Sequence, residues 1–160
     1  MKILFVCSGN TCRSPLALAA WRALQKQRRA PKNIEAQSAG TSASSGAPAA
    51  KYSILLAREW DEDLSTHASQ PLRDKLLETT DLFFVMSYDQ AFALREYFQI
   101  PQSKIRMLGE FDELEKGEIL DPFGGSREAY ETCATKIFRS VEGMTKALKS
   151  GALKPAHDSE

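Results

Sequence analysis

The chain has 160 residues, 42% hydrophobic and 26% charged, enough for one domain with a sizeable core. Lys plus Arg and Asp plus Glu each number 21, so net charge gives no drive toward nucleic acid or an anionic membrane surface, and any anion site must be local. No apolar run approaches the roughly 20 residues of a membrane helix.

The first element is the run "ILFV" (3–6), rich in β-formers and bounded by polar residues, which predicts a buried strand. It is too short for the ~7–15 apolar residues of a secretion signal. A cytoplasmic location with reduced thiols is therefore expected. Beyond it lies "CSGNTCRSP" (7–15), in which Ser14 suits a helix N-cap and Pro15 the first helical position. Leu16, Ala20, Ala23 and Leu24 follow at helical spacing. "IEAQSAG" (34–40) reads as a second strand. A flexible, small-residue stretch (41–50) then leads to a helix carrying Ile54, Leu55 and Ala57.

A short helix is predicted at "LRDKLLE" (72–78), a central strand at "DLFFVM" (81–86), a helix over 88–98 and a fourth strand at "KIRML" (104–108). An acidic loop reaches "DPFGG" (121–125). The last helix is expected from Ser126 to about Lys149, with Tyr130, Cys133, Ile137, Val141, Met144 and Leu148 as its apolar stripe and Gly151 as its stop. This gives one domain over 1–150 and a flexible tail over 151–160. Strand and helix alternate about four times, the pattern of a parallel sheet covered by helices on both faces. Sites in such sheets lie beyond the strands' C-terminal ends, where Cys7 falls.

The loop behind the first strand carries the chemistry. Between Cys7 and Arg13 lie five residues, Ser8, Gly9, Asn10, Thr11 and Cys12, whose backbone N–H groups have no obvious partner. Closing onto a helix N-terminus, such a loop can turn its amides inward as an anion nest. Gly9 and Asn10 tolerate the left-handed backbone that this curl requires. Arg13 adds a planar, permanent charge suited to gripping two oxygens of one phosphoryl group. A free cysteine is only about 3% thiolate at pH 7; amides, helix terminus, Arg13 and the Ser14 hydroxyl all favour the anion. Cys7 would then be a nucleophile seated under a bound phosphorus atom. The bland reading is a strand end followed by a loop and a helix cap. Metal binding is disfavoured because the cysteines and histidines show no zinc spacing, and Cys133 belongs to a core stripe. Asp121 reads two ways: Asp-Pro commonly starts a turn, and a carboxyl there could also serve as an acid.

With "LFVCSGNTCRSP", "SAG" (38–40), "HASQPL" (67–72), "DLFFVMS" (81–87) and "LDPFGG" (120–125) in one chain, the sequence resembles the low-molecular-weight protein tyrosine phosphatases up to about residue 145. The resemblance implies a flavodoxin-like, four-stranded parallel sheet with helices on both faces. It also implies a hydrolase without metal or cofactor, working through a cysteinyl-phosphate, with phosphorylated protein as substrate and phosphate or other oxyanions as product and inhibitors. By the same likeness Asp121 is the general acid and base, and Cys12 traps an oxidised Cys7 as a disulfide. Asn10, Ser14, Ser38 and His67 match a network that holds the loop's shape.

The phosphorylated residue is left between two. Tyrosine-directed members generally carry a bulky aliphatic residue where this chain has Thr11, and an aromatic residue in the loop matching roughly 42–50, here Ser, Ala, Gly and Pro. "CxGNTCRSP" with "DPFGGS" resembles the bacterial protein-arginine phosphatase branch, where a small Thr11 leaves room for a planar guanidinium. That branch's aromatic near position 42 is absent too, since Ser42 stands there. Phe123 is the remaining candidate wall for either substrate. An arsenate reductase of this fold would need two more cysteines, and residues 72–92 contain none. A non-catalytic phosphopeptide-binding module would have lost the nucleophile or the acid, and both are present.

Overall fold

The computed structural model describes residues 1–155. Its strands are β1 (Lys2–Cys7), β2 (Glu35–Gly40), β3 (Leu82–Val85) and β4 (Ile105–Met107), and its helices α1 (Arg13–Lys26), α2 (Lys51–Arg58), α3 (Asp74–Thr79), α4 (Tyr88–Glu96) and α5 (Arg127–Ser150). The strands form one parallel sheet in the order β2-β1-β3-β4, so the expected doubly wound, flavodoxin-like architecture is the one observed. No helix among the described residues is long and apolar enough to cross a membrane.

Strand alternation distributes the core. Ile3, Phe5, Leu82 and Phe84 face α1, α5 and α2, where Leu16, Trp21, Leu24, Leu56, Ile137, Val141 and Met144 close one layer. Leu4, Val6, Phe83 and Val85 face the opposite side, against Ala91 and Leu94 of α4 and the half-buried Leu76 and Leu77 of α3. Both faces of the central strands are covered, which is why they read as continuous apolar runs rather than alternating ones. From β1 the chain crosses to β2 on one side, and later to β3 on the other. This leaves a crevice at the C-terminal ends of β1 and β3.

Helix ends follow their chemistry. Ser126 caps α5 by accepting from the Ala129 N–H at 3.2 Å, and Gly151 ends the helix in the left-handed conformation with φ 79°. The expected tail starts with an anchor: Leu153 is only 5% exposed and packs on the core. The rest of that tail, residues 156–160, lies outside the described residues.

The acidic segment after β4 is tied down by Asp112. Its fully buried carboxylate accepts from Arg139 Nε and Nη2, each at 2.9 Å, from Lys136 Nζ at 3.4 Å and from the Leu114 N–H at 3.1 Å. The Arg139 hydrogen bonds hold this carboxyl well below its ordinary value of 3.8, against the opposing effect of burial. A depressed carboxylate stabilises the fold above its ordinary range and loses that contribution as pH falls through its folded value. Asp112→Asn is therefore expected to cost about 3 kcal/mol near neutral pH, read by urea unfolding. The gap between variant and parent should shrink as pH drops below about 4; a pH-independent gap would contradict the account.

Candidate active site

At the end of β1 the 7–14 loop curls and runs straight into α1. The helix begins at Arg13, with Cys12 as its capping residue and no side-chain cap bond. Ser14 is thus not the N-cap that its sequence context suggests, nor Pro15 the first helical residue. The helix starts earlier because the loop itself delivers the chain into it, and the Ser14 hydroxyl is turned away from the backbone toward Cys7.

The loop's polarity is fixed from outside. The carbonyls of Cys7 and Ser8 accept from the N–H groups of Thr41 and Ser42 at 2.9 and 3.0 Å, and that of Thr11 from Ala50 at 2.8 Å. The Asn10 carbonyl accepts from His67 Nε2 at 2.7 Å, and the Cys12 carbonyl from Leu16 in the helix. A planar trans peptide sets each C=O antiparallel to the next residue's N–H. The amides of Ser8, Gly9, Thr11, Cys12 and Arg13 therefore point the other way. Among the described residues, no main-chain N–H from Ser8 to Ser14 donates to a protein acceptor. That is the concave donor array of an oxyanion site.

The 41–50 stretch, read as flexible, is a strap. Besides the three bonds above, the Ser69 hydroxyl donates to the Ser44 carbonyl at 2.6 Å and accepts from the Ala47 N–H at 2.9 Å. Its small residues allow this close approach. Gly40, just before the strap, has no room for a side chain: a Cβ there would lie 2.4 Å from the Ser8 carbonyl oxygen and 3.0 Å from the Asn10 nitrogen. Gly40 closes the "SAG" motif, and this close approach is the physical reason a glycine stands there.

Asn10 is the keystone side chain. It is fully buried in the left-handed conformation, φ 54°. Its Nδ2 donates to Ser14 Oγ at 2.8 Å and Ser38 Oγ at 3.0 Å, and its Oδ1 accepts from the Gln70 N–H at 2.9 Å. Gly9, expected to share the left-handed curl, does not adopt it; the single inversion at Asn10 suffices. Gln70 and Gln90, which no local sequence pattern marks, also support the loop. Gln70 Nε2 donates to the Ser38 carbonyl at 2.8 Å, and Gln90 Nε2 to Ser8 Oγ at 3.2 Å while its Oε1 takes the N–H groups of Met86 and Ser87. The second link joins the loop to the end of β3.

Ser14 Oγ lies 2.9 Å from Cys7 Sγ. The Asn10 amide already donates to that oxygen, so its one proton is shared between two acceptors, the Cys7 sulfur and the more distant Ala39 carbonyl at 3.4 Å. Arg13, 5% exposed, donates through Nη1 to the Ile119 carbonyl at 2.9 Å and holds Nη2 3.7 Å from Asp121 Oδ2. Asp121 is half-exposed, and its Oδ1 accepts from the Phe123 N–H at 3.1 Å. It both starts the turn and faces the site, so the two sequence readings of Asp-Pro coexist. Cys7, Gly9, Thr11, Cys12, Arg13, Asp121 and Phe123 line one cavity of about 180 Å³. Phe123, 81% exposed, stands at its rim. Ser38 and His67 lie behind the loop and support it.

The family model described as low molecular weight phosphotyrosine protein phosphatase matches residues 2–153. A protein-arginine-phosphatase of Bacillus subtilis is 33% identical, covering 93% of this chain and 97% of that one. The low molecular weight protein-tyrosine-phosphatase Wzb of Salmonella typhi is 32% identical, with 96% and 98% covered. A solved structure of the YwlE arginine phosphatase, a mutant with a phosphorylated active-site serine in place of cysteine, superposes with a TM-score of 0.84 at 32% identity, covering 93% of this chain and 96% of that one. Fold, loop and sequence agree, and the chain belongs to the low molecular weight phosphotyrosine protein phosphatase family.

Proposed function

We propose that this protein removes phosphoryl groups from phosphorylated proteins in two steps, with Cys7 as nucleophile, Arg13 as phosphate clamp and Asp121 as acid and base. The observation that supports it most is the convergence of Cys7, Arg13 and Asp121 on one cavity whose floor is a set of unpaired amides. A tetrahedral dianion seated there would take the loop amides on its oxygens and the guanidinium along one edge. Cys7 Sγ attacks the phosphorus opposite the leaving atom, and Asp121 protonates that atom as its bond breaks. Asp121 then takes a proton from the water that cleaves the sulfur–phosphorus bond, and the Ser14 hydroxyl receives the returning thiolate. The phosphorylated serine in the YwlE relative supports a phosphoryl group passing through this loop position.

A second reading, phosphoarginine in particular, is favoured by Thr11. It lines the cavity as a small polar wall that leaves room for a planar guanidinium. The three free cysteines, Cys7, Cys12 and Cys133, fit a reducing compartment such as the cytoplasm.

Cys7→Ser is expected to lower p-nitrophenyl phosphate turnover by about 10⁴-fold or more while vanadate or phosphate still binds, measured by calorimetry; near-parental turnover would sink the assignment. Asp121→Ala should slow poor leaving groups by about 10²–10⁴ and p-nitrophenyl phosphate far less, so a uniform loss across a leaving-group series would remove Asp121 as the acid. Side-by-side kcat/KM on phosphotyrosine and phosphoarginine peptides tests the substrate. Thr11→Ile should shift that ratio toward phosphotyrosine, and an unmoved ratio would separate Thr11 from specificity.

A further inference from the structure

The segment that leads to Asp121 is held at several points. The Gly117 N–H donates to the Gly109 carbonyl at 3.3 Å, and the Glu118 carboxylate accepts from the Tyr88 N–H at 2.7 Å. The Ile119 N–H donates to the Met86 carbonyl at 2.9 Å, while its own carbonyl takes Arg13. Lys136 of α5 donates to the Glu115 carbonyl. Gly109 packs so closely that a Cβ on it would lie 1.7 Å from the Gly117 carbonyl oxygen. Residues 115–121 therefore form a fixed wall.

Between this wall and α5 lies a second cavity of about 720 Å³, within the size range of ligand pockets. It shares Asp121 with the catalytic cavity, so the two adjoin at that residue. Cavities near Lys2, Lys26 and Trp60 share no residue with the catalytic one. The buried part of the second cavity's lining is apolar: Ile119, Pro122 and Cys133. Leu120 and Tyr88, 78% and 62% exposed, line it as well, and the exposed Phe123 stands at the adjoining mouth. Large apolar side chains left open around Asp121 mark a surface of contact. The charged lining is mixed, Glu115, Glu118 and Asp121 against Lys116 and Lys136, and the Lys136 ammonium is already drawn to Asp112 at 3.4 Å. With neither sign dominant, selection falls to the apolar surface.

We propose that this second cavity is a subsite for the phosphoprotein substrate, taking an apolar side chain one or two residues from the phosphorylated one. The proposal rests on the phosphoryl group entering the catalytic cavity, as the proposed function has it. At about 180 Å³ that cavity has room for one phosphorylated side chain, so the substrate's main chain must run across its mouth. In an extended segment, residues two apart lie on the same face about 6.5 Å from each other. A neighbour at that spacing is close enough to enter a cavity that begins at Asp121. Because Arg13 grips the Ile119 carbonyl, the subsite is fixed relative to the phosphate clamp. A neighbouring apolar side chain therefore meets a preformed surface, and little of its burial is spent on ordering the protein.

Two peptide series test the subsite, one centred on phosphotyrosine and one on phosphoarginine. Ala, Leu, Lys or Glu is placed in turn at each position within two residues of the centre, with alanine elsewhere. In the series turned over faster, Leu should raise kcat/KM over Ala by about fivefold or more at one position at least. Thr132→Trp brings an indole into the cavity from an exposed position on α5. Tyr88→Ala removes part of the lining and keeps the main-chain N–H that binds Glu118. Each should cut the leucine gain to about twofold or less. Turnover of p-nitrophenyl phosphate, which has no neighbouring residue, should be unchanged in both. Equal rates for Leu and Ala at every position, a larger gain for Lys or Glu than for Leu, or a leucine gain that survives in the variants would each overturn the subsite. If Thr132→Trp misfolds, the parent series and Tyr88→Ala decide it. Any of these results with p-nitrophenyl phosphate turnover intact leaves the proposed function standing. Absent turnover of that substrate by the parent would remove the proposed function and the subsite with it.

Discussion

Five of the six carbonyl oxygens of the 7–12 segment, all but that of Gly9, are bound by protein donors, and the rest of the site depends on that. A peptide plane cannot present both of its polar ends to the same side. Tying the carbonyls to Thr41, Ser42, Ala50 and His67 therefore commits the amides to the cavity. The arrangement leaves a row of donors without protein partners, which is costly in an interior and tolerable where an anion or water takes them. Much of the second strand's end and of the 41–50 and 67–70 segments serves to hold this orientation rather than to add core.

The cost is offset by Asn10. A left-handed non-glycine residue carries strain of order 1 kcal/mol, while each of its buried side-chain hydrogen bonds returns about as much. Its three bonds reach Ser14, Ser38 and the Gln70 backbone, so the same side chain fixes the loop, seats the hydroxyl that faces Cys7 and joins β2 to the crevice. Glycine could adopt the turn but could not replace those bonds.

The fold was legible because both faces of β1 and β3 are buried, giving "ILFV" and "LFFV" as unbroken apolar runs, and because α5 carries a full-length stripe with a serine at one end and a glycine at the other. Cys7 and Arg13 were legible as a pair because strand end, small loop residues and helix start appear together in the sequence, whereas Asp121 stood out from an ordinary turn only through the family resemblance. Other parts were hidden for physical reasons. The 41–50 stretch looks unstructured because its order comes from backbone bonds to a distant loop, to which side-chain periodicity is blind. Gln70 and Gln90 act through long-range amide contacts that no local pattern signals. Ser14 resembles a cap in sequence, and only the neighbouring sulfur explains why it does not act as one.

The Arg13 guanidinium is rigid, and one of its nitrogens is engaged with the Ile119 carbonyl while another faces Asp121. The same cation is thus held to both ends of the 119–121 segment. On the proposed roles, the group that holds the phosphoryl and the group that gives the proton are tied to one planar guanidinium at the first turn of α1.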